Sequence, residues 1–302
     1  MDTEERVTVL EALHQASTRL TQHGIEHPEL NAERLLCFIL SCRRTHLYLN
    51  PDRLLRCEEE ASLQEALEQR LHNRPLQYIT ESTQFLFFNL CVNEKVFIPR
   101  PETEILVEEA IRRIGKTFSS EQPHVLVDLC TGSGNIALAL AQAFPQSRVY
   151  ATDISEQALV IARENAKANH CTDSITFLQG DLFEPLVALD MREGVTAIIC
   201  NPPYIVRSEI DTLSPEVRNY EPRLALDGGH DGLEIVRRVV REATSVLKIK
   251  GLLALEVGLG QAEVVRDLLN NEKSYGEIEI VKDLSGIDRV VMAACEGTRV
   301  GA

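Results

Sequence analysis

The chain has 302 residues, 44% of them hydrophobic and 25% charged, which is typical of a globular protein with one sizeable core and a smaller second unit. Its formal net charge is −15, from 31 basic and 46 acidic residues. This balance argues against a protein that binds by neutralising nucleic-acid phosphates, so we expect no direct nucleic-acid partner. No apolar run approaches the length of a membrane span, so we expect no membrane partner either.

Eight cysteines lie at positions 37, 42, 57, 91, 130, 171, 200 and 295, without a C-x-x-C pair or an adjacent histidine cluster. This spacing predicts no metal site. We expect reduced thiols and hence a cytoplasmic protein. The first six residues have neither a basic flank nor an apolar core, so they predict no signal peptide.

Residues 1–80 are predicted to form a small helical N-terminal domain. Apolar residues recur there at helical spacing between breaks at 24–28, 50–51 and 75. They form three stripes, namely Val7, Leu10, Leu13 and Leu20; Leu35, Leu36, Ile39 and Leu40; and Leu63, Leu67 and Leu71. The arginines of this region either recognise a partner or form a solvated face, and they lie at 34, 43, 44, 53 and 56.

Residues 81–99 are predicted to form a β-hairpin that bridges this domain to the rest of the chain. Aromatic and branched residues lie at strand spacing on both sides of Asn93-Glu94, which is the predicted turn.

The third segment, 100–302, begins with a helix. Pro101 suits the first helical turn, and Glu102 and Glu104 complement the positive end of the helix dipole.

From Val125 onward, strand and helix patterns alternate, which is typical of an α/β fold with a parallel sheet. The predicted strands are 125–129, 148–152, 175–178, 195–200, 252–257, 277–282 and 289–294. The predicted helices are 135–143, 155–168, 231–247 and 260–270. Ligands of such Rossmann-like sheets bind beyond the carboxyl ends of the strands, so we looked for polar groups there.

A glycine-containing loop follows the first of these strands. Gly132 and Gly134 allow a ligand to approach the backbone, and the helix that follows offers free N–H groups. Asp153 ends the next strand and is suited to accept both hydroxyls of a ribose. The loop lacks the third glycine of G-x-G-x-x-G, which favours a nucleoside without a pyrophosphate over a dinucleotide.

Asp181 and Leu182 follow the third strand. The Asp181 carboxylate is suited to accept from an adenine amino group, and Leu182 to pack against the ring. Both Asp153 and Asp181 are equally consistent with ordinary surface carboxylates at strand ends.

Asn201-Pro202-Pro203-Tyr204 ends the buried strand 195–200. The two prolines fix their own φ and restrict the residue before each of them, so the strand ends in a rigid corner. This corner presents one amide side chain, bare carbonyls and an aromatic ring, and fixed acceptors of this kind suit a planar NH2 group. A Pro-Pro turn with a helix-capping Asn201 is the alternative interpretation.

Taken together, Asp128-x-x-x-Gly-x-Gly134, Asp153, Asp181 and Asn201-Pro-Pro-Tyr204 resemble the motifs of class I S-adenosylmethionine-dependent methyltransferases. Five further motifs make the chain similar to the release-factor glutamine methyltransferases, namely Arg74-Pro-Leu-Gln-Tyr-Ile79, Ile98-Pro-Arg-Pro-Glu-Thr-Glu104, Glu221-Pro-Arg-Leu-Ala-Leu226, Gly228-Gly-His-Asp-Gly232 and Asp283-Leu-Ser-Gly-Ile-Asp-Arg289. The resemblance runs from about residue 30 to 292.

This resemblance implies a helical substrate-recognition domain, a hairpin bridge and a seven-stranded Rossmann-like catalytic sheet. It implies an enzyme that uses S-adenosylmethionine to methylate the side-chain amide (N5) of the glutamine in the Gly-Gly-Gln motif of peptide chain release factors. The implied cofactor-binding residues are Cys130, Thr131, Gly132, Ser133, Gly134, Asp153, Asp181, Leu182 and Asn201. The implied substrate-binding residues are Asn201, Pro202, Pro203 and Tyr204, and the first two of these are the implied catalytic residues.

Three residues depart from the family pattern, because Glu81, Cys130 and Phe87 stand where glycines are usual. Cys130 fits there if its φ is negative. For the reaction itself, we expect Asn201 Oδ1 and the Pro202 carbonyl each to accept one N–H of the substrate amide, without a strong general base.

Three other functions fit parts of this pattern. An adenine-N6 methyltransferase acting on DNA or RNA uses the same Asn-Pro-Pro-Tyr chemistry, but the acidic charge balance disfavours it. A nicotinamide dehydrogenase is disfavoured by the shortened glycine loop. A non-catalytic binding module that keeps the pocket is disfavoured by the intact Asn201 and glycine loop.

Overall fold

The computed structural model describes residues 6–119, 122–192 and 194–297. The chain folds into two compact units: unit 1 runs to Ser82 and includes Ser214–Tyr220, and unit 2 comprises Thr83–Leu213 and the chain from Glu221. Residues 1–5, part of the segment that predicts no signal peptide, lie outside the described residues.

Unit 1 includes one segment that the sequence placed in the C-terminal domain, residues 214–220. The Arg70 guanidinium forms an ion pair with Glu216, and the Tyr220 hydroxyl donates to the His72 carbonyl oxygen at 2.9 Å. These contacts attach the segment to the helices of unit 1.

The predicted helices of unit 1 and the breaks between them are confirmed. The helices are α1 (Val9–Gln22), α2 (Pro28–Ile39), α3 (Arg44–Leu49), α4 (Cys57–Leu71) and α5 (Leu76–Ile79). Of the stripe predicted for α1, Leu20 is buried and Val7 and Leu13 pack against the same core, and Val9, Ala12 and Ala16 complete the buried face. Leu10 is instead half exposed. Small alanines on that face let neighbouring helices approach closely, which hydrophobicity alone did not indicate.

The hairpin of unit 2 forms earlier in the chain than predicted. Its strands are β1 (Ser82–Phe85) and β2 (Phe88–Cys91), so the predicted turn at Asn93-Glu94 is wrong. The turn consists of Leu86 and Phe87, with Leu86 at φ 50° and its N–H donating to Glu104 Oε1 at 2.8 Å. That hydrogen bond stabilises a left-handed turn residue that is not a glycine. Glu81 also has a positive φ, of 51°.

The remaining strands form one sheet, as predicted, but it is mixed because one strand runs antiparallel to the others. They are β3 (Val125–Leu129), β4 (Arg148–Asp153), β5 (Ile175–Gln179), β6 (Val195–Cys200), β7 (Leu247–Glu256), β8 (Tyr275–Lys282) and β9 (Asp288–Cys295). Within the described ranges the sheet has seven strands in the order β5-β4-β3-β6-β7-β9-β8, with β9 antiparallel to both of its neighbours. The helices of unit 2 are α6 (Pro101–Thr117), α7 (Asn135–Ala143), α8 (Glu156–Ala168), α9 (Glu184–Ala188), α11 (Arg223–Leu226), α12 (Glu234–Ala243) and α13 (Ala262–Asn271). The helix between α9 and α11 in the chain, α10 (Pro215–Tyr220), belongs to unit 1.

Both faces of this sheet are buried. Along β6, alternate residues join different cores, with Ala197 and Ile199 in one cluster and Ile198 and Cys200 in the other. This explains why its sequence is a continuous apolar run. The largest differences from the predicted boundaries are that β7 begins at Leu247 and that α12 covers only Glu234–Ala243.

The strand order places the ligand crevice between β3 and β6. From β3 the sheet continues through β4 and β5 in one direction, and through β6 and β7 in the other. Leu129 pairs with Cys200 at the carboxyl ends of β3 and β6. The glycine loop and Asn201 directly follow these two residues, so the topology brings them to the same crevice.

Among the helices that the structure describes, none is both long and apolar enough to cross a lipid bilayer.

Asn165 of α8 ties the hairpin to the glycine loop, and we expect Asn165→Ala to lower the free energy of unfolding by about 2–4 kcal/mol. Its Oδ1 accepts from the Cys91 N–H at 2.7 Å, and its Nδ2 donates to the carbonyls of Cys91 and Ser133. Urea denaturation measures the change. Asn169→Ala at the C-cap of the same helix is the control and should cost less than about 1 kcal/mol, because its contact with the hairpin is an exposed hydrogen bond of 3.4 Å. Equal losses in the two variants would contradict the assignment.

Candidate active site

A cleft of about 260 Å³ lies at the carboxyl ends of β3, β4, β5 and β6. Nearly all the residues predicted from the sequence line it, namely Cys130, Thr131, Gly132, Ser133, Asp153, Asp181, Leu182, Asn201, Pro202, Pro203 and Tyr204. Gly134 is not among the lining residues. The structure therefore brings the two predicted sets together, while the role of each residue remains a prediction.

The glycine loop has three left-handed residues. Cys130, Gly132 and Gly134 have φ of 59°, 54° and 83°, so the expectation of a negative φ at Cys130 is wrong. The Thr131 N–H donates to the Thr152 carbonyl at 3.0 Å and holds this conformation. A Cβ on Gly132 would meet nothing within 4 Å, whereas one on Gly134 would lie 3.1 Å from Ala162 Cβ. Gly132 is thus open to a ligand, and Gly134 permits close packing of α8.

Asp128 lies buried beneath the loop. Its Oδ2 accepts from the Thr131 hydroxyl at 2.5 Å and from the Ala137 N–H at 3.0 Å. Burial raises the pKa of this carboxyl to about 7. Its Oδ1 is buried and has no partner among the described residues. The loop is therefore fixed from below by a carboxylate that keeps one acceptor unused.

Asp153 fixes the loop from the side. Its Oδ2 accepts from the Gly132 N–H and its Oδ1 from the Ser155 N–H, both at 2.9 Å. Burial raises the pKa of Asp153, and these N–H donors act in the opposite direction. Each carboxylate oxygen can accept a further hydrogen bond, so Asp153 can still make the predicted contact with ribose hydroxyls.

The Asp181 carboxylate, which we expected to accept from a ligand amino group, already has a partner in the protein. Its carboxylate forms an ion pair with Arg238 of α12, with Nη1 at 3.0 Å from Oδ2. Both residues line the cleft. Leu182 has φ 49°, and its carbonyl accepts from the Thr152 hydroxyl at 3.2 Å. A ligand amino group at Asp181 would share the carboxylate with Arg238.

The side-chain amide of Asn201 is oriented by a hydrogen bond. Its Nδ2 donates to Thr103 Oγ1 at 3.1 Å. In the part of the chain that the structure describes, neither Asn201 Oδ1 nor the Pro202 carbonyl accepts a hydrogen bond. The corner therefore presents two acceptors beside the cleft.

Two residues behind this corner, Thr103 and Glu256, were not predicted. The Thr103 hydroxyl donates to Glu256 Oε2 at 2.6 Å, and the Tyr204 hydroxyl donates to Oε1 at 3.2 Å. Burial raises the pKa of Glu256 to about 7 and raises that of Tyr204 as well. The sequence signals were a carboxylate inside the otherwise apolar run Leu252–Val257, and a threonine inside Ile98–Glu104.

Two family models match the chain. One, described as the PrmC N-terminal domain, matches residues 11–80, and the other, described as the Methyltransferase small domain, matches residues 107–215.

Relatives match almost the whole chain. "Release factor glutamine methyltransferase" of Moorella thermoacetica is 39% identical over 287 residues, which are 95% of this chain and 98% of that protein. The protein of the same name from Bacillus anthracis is 38% identical over 288 residues, covering 95% and 99% of the two chains. The chain belongs to the release factor glutamine methyltransferase family.

The fold also has solved counterparts. The hMettl16 catalytic domain in complex with MAT2A 3′UTR hairpin 1 superposes with a TM-score of 0.54 at 14% identity, covering 83% of this chain and 86% of that one. At this identity the likeness shows the fold alone.

Two of the family motifs meet in an ion pair. Arg100, from Ile98–Glu104, pairs with Glu221, which begins Glu221–Leu226. The Arg100 guanidinium also stacks over the Phe97 ring, 4.7 Å from its centroid. The pair fixes two segments that line the cleft.

A third family motif, Gly228–Gly232, supports the corner from outside. The Gly228 N–H donates to the Ile205 carbonyl at 2.8 Å. Gln261 Nε2 donates to the Tyr204 carbonyl at 2.9 Å. A Cβ on Gly228 would lie 2.8 Å from Tyr204 Cα and 2.7 Å from the Gly232 carbonyl oxygen, which leaves no room for a side chain.

We therefore expect Gly228→Ala to reduce methyltransferase turnover about 10- to 100-fold, because the added methyl displaces the backbone of Tyr204 and hence the corner. Steady-state kinetics measures the loss. Gly115→Ala is the control, since a Cβ there meets nothing within 4 Å and the position lies within α6. Full turnover in Gly228→Ala would show that the corner tolerates displacement.

Proposed function

We propose that this protein transfers a methyl group from S-adenosylmethionine to the side-chain amide nitrogen of the glutamine in the Gly-Gly-Gln motif of peptide chain release factors. Relatives named release factor glutamine methyltransferase match this chain over almost their whole length. The observation that carries the proposal is the hydrogen bond from Asn201 Nδ2 to Thr103, which leaves Asn201 Oδ1 as an acceptor beside the cleft.

The residues of the cleft fit the proposed cofactor. Gly132 faces open space, and Ser133 Oγ, a buried polar atom of a residue that lines the cleft, has no partner among the described residues. Unpaired buried groups of this kind are costly unless a ligand uses them. The residues proposed to hold the cofactor are Cys130, Thr131, Gly132, Ser133, Asp153, Asp181, Leu182 and Asn201, with Gly134 shaping the loop.

When bound, S-adenosylmethionine supplies a methyl group that its sulfonium makes electrophilic. The protein's part is to position an amide nitrogen that is a poor nucleophile, since its lone pair is delocalised into the carbonyl. Asn201 Oδ1 and the Pro202 carbonyl each accept one N–H of the substrate amide, with Pro203 and Tyr204 completing the pocket. Two fixed acceptors hold the NH2 group in one orientation and stabilise positive charge that develops on it.

This arrangement needs no strong general base. An amide nitrogen that has gained a methyl group while keeping both protons is very acidic, so it loses a proton readily. The acceptors at Asn201 and Pro202 are neutral, which suits a step in which they stabilise charge rather than remove a proton.

The same substrate extends the proposal to the roles of the three segments of the chain and to the location of the protein. The helical unit, residues 1–80, recognises the release factor, residues 81–99 connect it, and residues 100–302 carry out the transfer. Release factors act in translation, which places the enzyme in the cytoplasm. All eight cysteines are free thiols, in agreement with a reducing compartment.

Mass spectrometry of a release factor after incubation with enzyme and S-adenosylmethionine tests this function. A mass gain of one methyl group on the Gly-Gly-Gln glutamine supports it. A release factor with that glutamine replaced by alanine is the matched control and should gain nothing. Methyl transfer to DNA or RNA, with none to the release factor, would instead support an adenine methyltransferase.

We expect Asn201→Ala to lower kcat by about 10²–10³-fold, because it removes one preorganised acceptor from the charge that develops on nitrogen. Single-turnover kinetics at saturating cofactor isolates this step. The exposed Asn219→Ala serves as a control and should keep wild-type kcat. A near-normal rate in Asn201→Ala would reject the proposed role.

We expect Asp153→Ala to weaken S-adenosylmethionine binding by about 10- to 100-fold, since one charged acceptor and the anchor of the glycine loop are both lost. Isothermal titration calorimetry measures the affinity. Asp173→Ala, an exposed carboxylate before β5, should bind as the wild type does. An unchanged affinity in Asp153→Ala would contradict the cofactor assignment.

A further inference from the structure

We propose that Glu256 is a positioning residue whose ionised carboxylate, acting through Thr103, determines which end of the Asn201 side-chain amide faces the substrate. The proposal rests on the proposed function and adds to it a residue that no motif singled out. It follows from the hydrogen-bond network behind the Asn-Pro-Pro-Tyr corner.

Glu256 ends β7 and is 1% exposed, so its hydrogen bonds come from the protein alone. The Thr103 hydroxyl is 2.6 Å from Oε2, and the Tyr204 hydroxyl is 3.2 Å from Oε1. An ionised carboxylate only accepts hydrogen bonds, so both hydroxyl protons are directed at it.

This arrangement decides the role of Thr103 toward Asn201. A threonine hydroxyl has one proton, and here that proton is donated to Glu256. Toward Asn201, Thr103 Oγ1 can then only accept a hydrogen bond, and it does so from Asn201 Nδ2 at 3.1 Å. The amide NH2 is fixed toward Thr103, and Oδ1 is left for the substrate.

Protonation of Glu256 reverses this polarity. The protonated carboxyl donates to Thr103 Oγ1, which frees the hydroxyl proton of Thr103 to point at Asn201. The favoured amide orientation is then the flipped one, with Oδ1 toward Thr103 and NH2 toward the substrate. Two NH2 groups that face each other have no acceptor between them, so the substrate amide loses one of its two hydrogen bonds.

The groups facing Glu256 allow this change near neutral pH. Burial, with a smaller contribution from Glu102, raises the pKa of Glu256 to about 7, although the hydroxyls of Thr103 and Tyr204 and the charge of Arg289 act to lower it. The titratable, polar and charged groups that interact with the carboxylate are Glu102 and Thr103 on α6, Cys200 on β6, Tyr204 after β6, and Arg289 on β9.

The test is the pH dependence of kcat at saturating cofactor and release factor, from about pH 5 to about pH 9. We expect wild-type kcat to fall as the pH drops through the pKa of Glu256, because the ionised form is the active one. Tyr204→Phe removes a donor to the carboxylate, which raises its pKa and moves the midpoint up by about 0.5–1 pH unit. Glu102→Gln removes a neighbouring negative charge, which lowers the pKa and moves the midpoint down.

Thr103 variants test the connection itself. Thr103→Val keeps the shape of the side chain but removes the hydroxyl that joins Glu256 to Asn201. We therefore expect kcat to fall about tenfold at pH 8 and to lose the pH dependence that comes from Glu256. Thr103→Ser keeps the hydroxyl and should restore both. A purely structural role for Glu256 predicts the same midpoint in all these variants, and that result would overturn the proposal.

An NMR titration separates this inference from the proposed function, because it needs no substrate. The side-chain amide signal of Asn201, assigned by its loss in Asn201→Ala, should shift with pH in the wild type and stay constant in Thr103→Val. If it does so while no release factor is methylated, the network stands and the proposed function fails. If release factors are methylated but the signal does not titrate, the inference fails alone.

Discussion

The parallel pairing of β3 with β6 is the constraint on which the site depends. Leu129 and Cys200 are partners at the carboxyl ends of these strands, and each is followed directly by a site segment. The glycine loop leaves one strand and the Asn-Pro-Pro-Tyr corner leaves the other. Both strands are buried on both faces, so a one-residue slip in their register would move each side chain into the opposite core and separate the two segments.

Three buried or nearly buried carboxylates, Asp128, Asp153 and Glu256, lie at this edge of the sheet, and burial raises the pKa of each. Each is held by local donors: Asp128 and Asp153 orient the glycine loop, and Glu256 orients the corner. Of the three, Asp153 lines the cleft, where its carboxylate suits the positive sulfonium of the proposed cofactor. Asp128 and Glu256 lie behind the lining and serve the local architecture.

The sequence was sufficient where local chemistry decides the structure. Strand periodicity predicted the sheet, and the two prolines predicted the rigid corner after Cys200. Thr103 and Glu256 were missed because their role depends on a contact between α6 and the end of β7, which no local pattern encodes. The left-handed Cys130 and the turn at Leu86 were missed for a related reason. Hydrogen bonds from elsewhere in the fold stabilise backbone conformations that these residues disfavour on their own.

The chain leaves unit 2 after Leu213 and returns at Glu221, shortly after the corner. This excursion is closed at its base, because the Ile205 N–H donates to the Leu226 carbonyl at 3.0 Å and Ile205 forms a parallel bridge with Asp227. The entropic cost of closing a loop grows only slowly with its length. A longer insertion would therefore add little to the free-energy cost of closing the loop once its two ends are joined. The joined ends therefore fix the chain directly after Tyr204 through bonds that lie within unit 2, while residues 214–220 between them make their own contacts within unit 1.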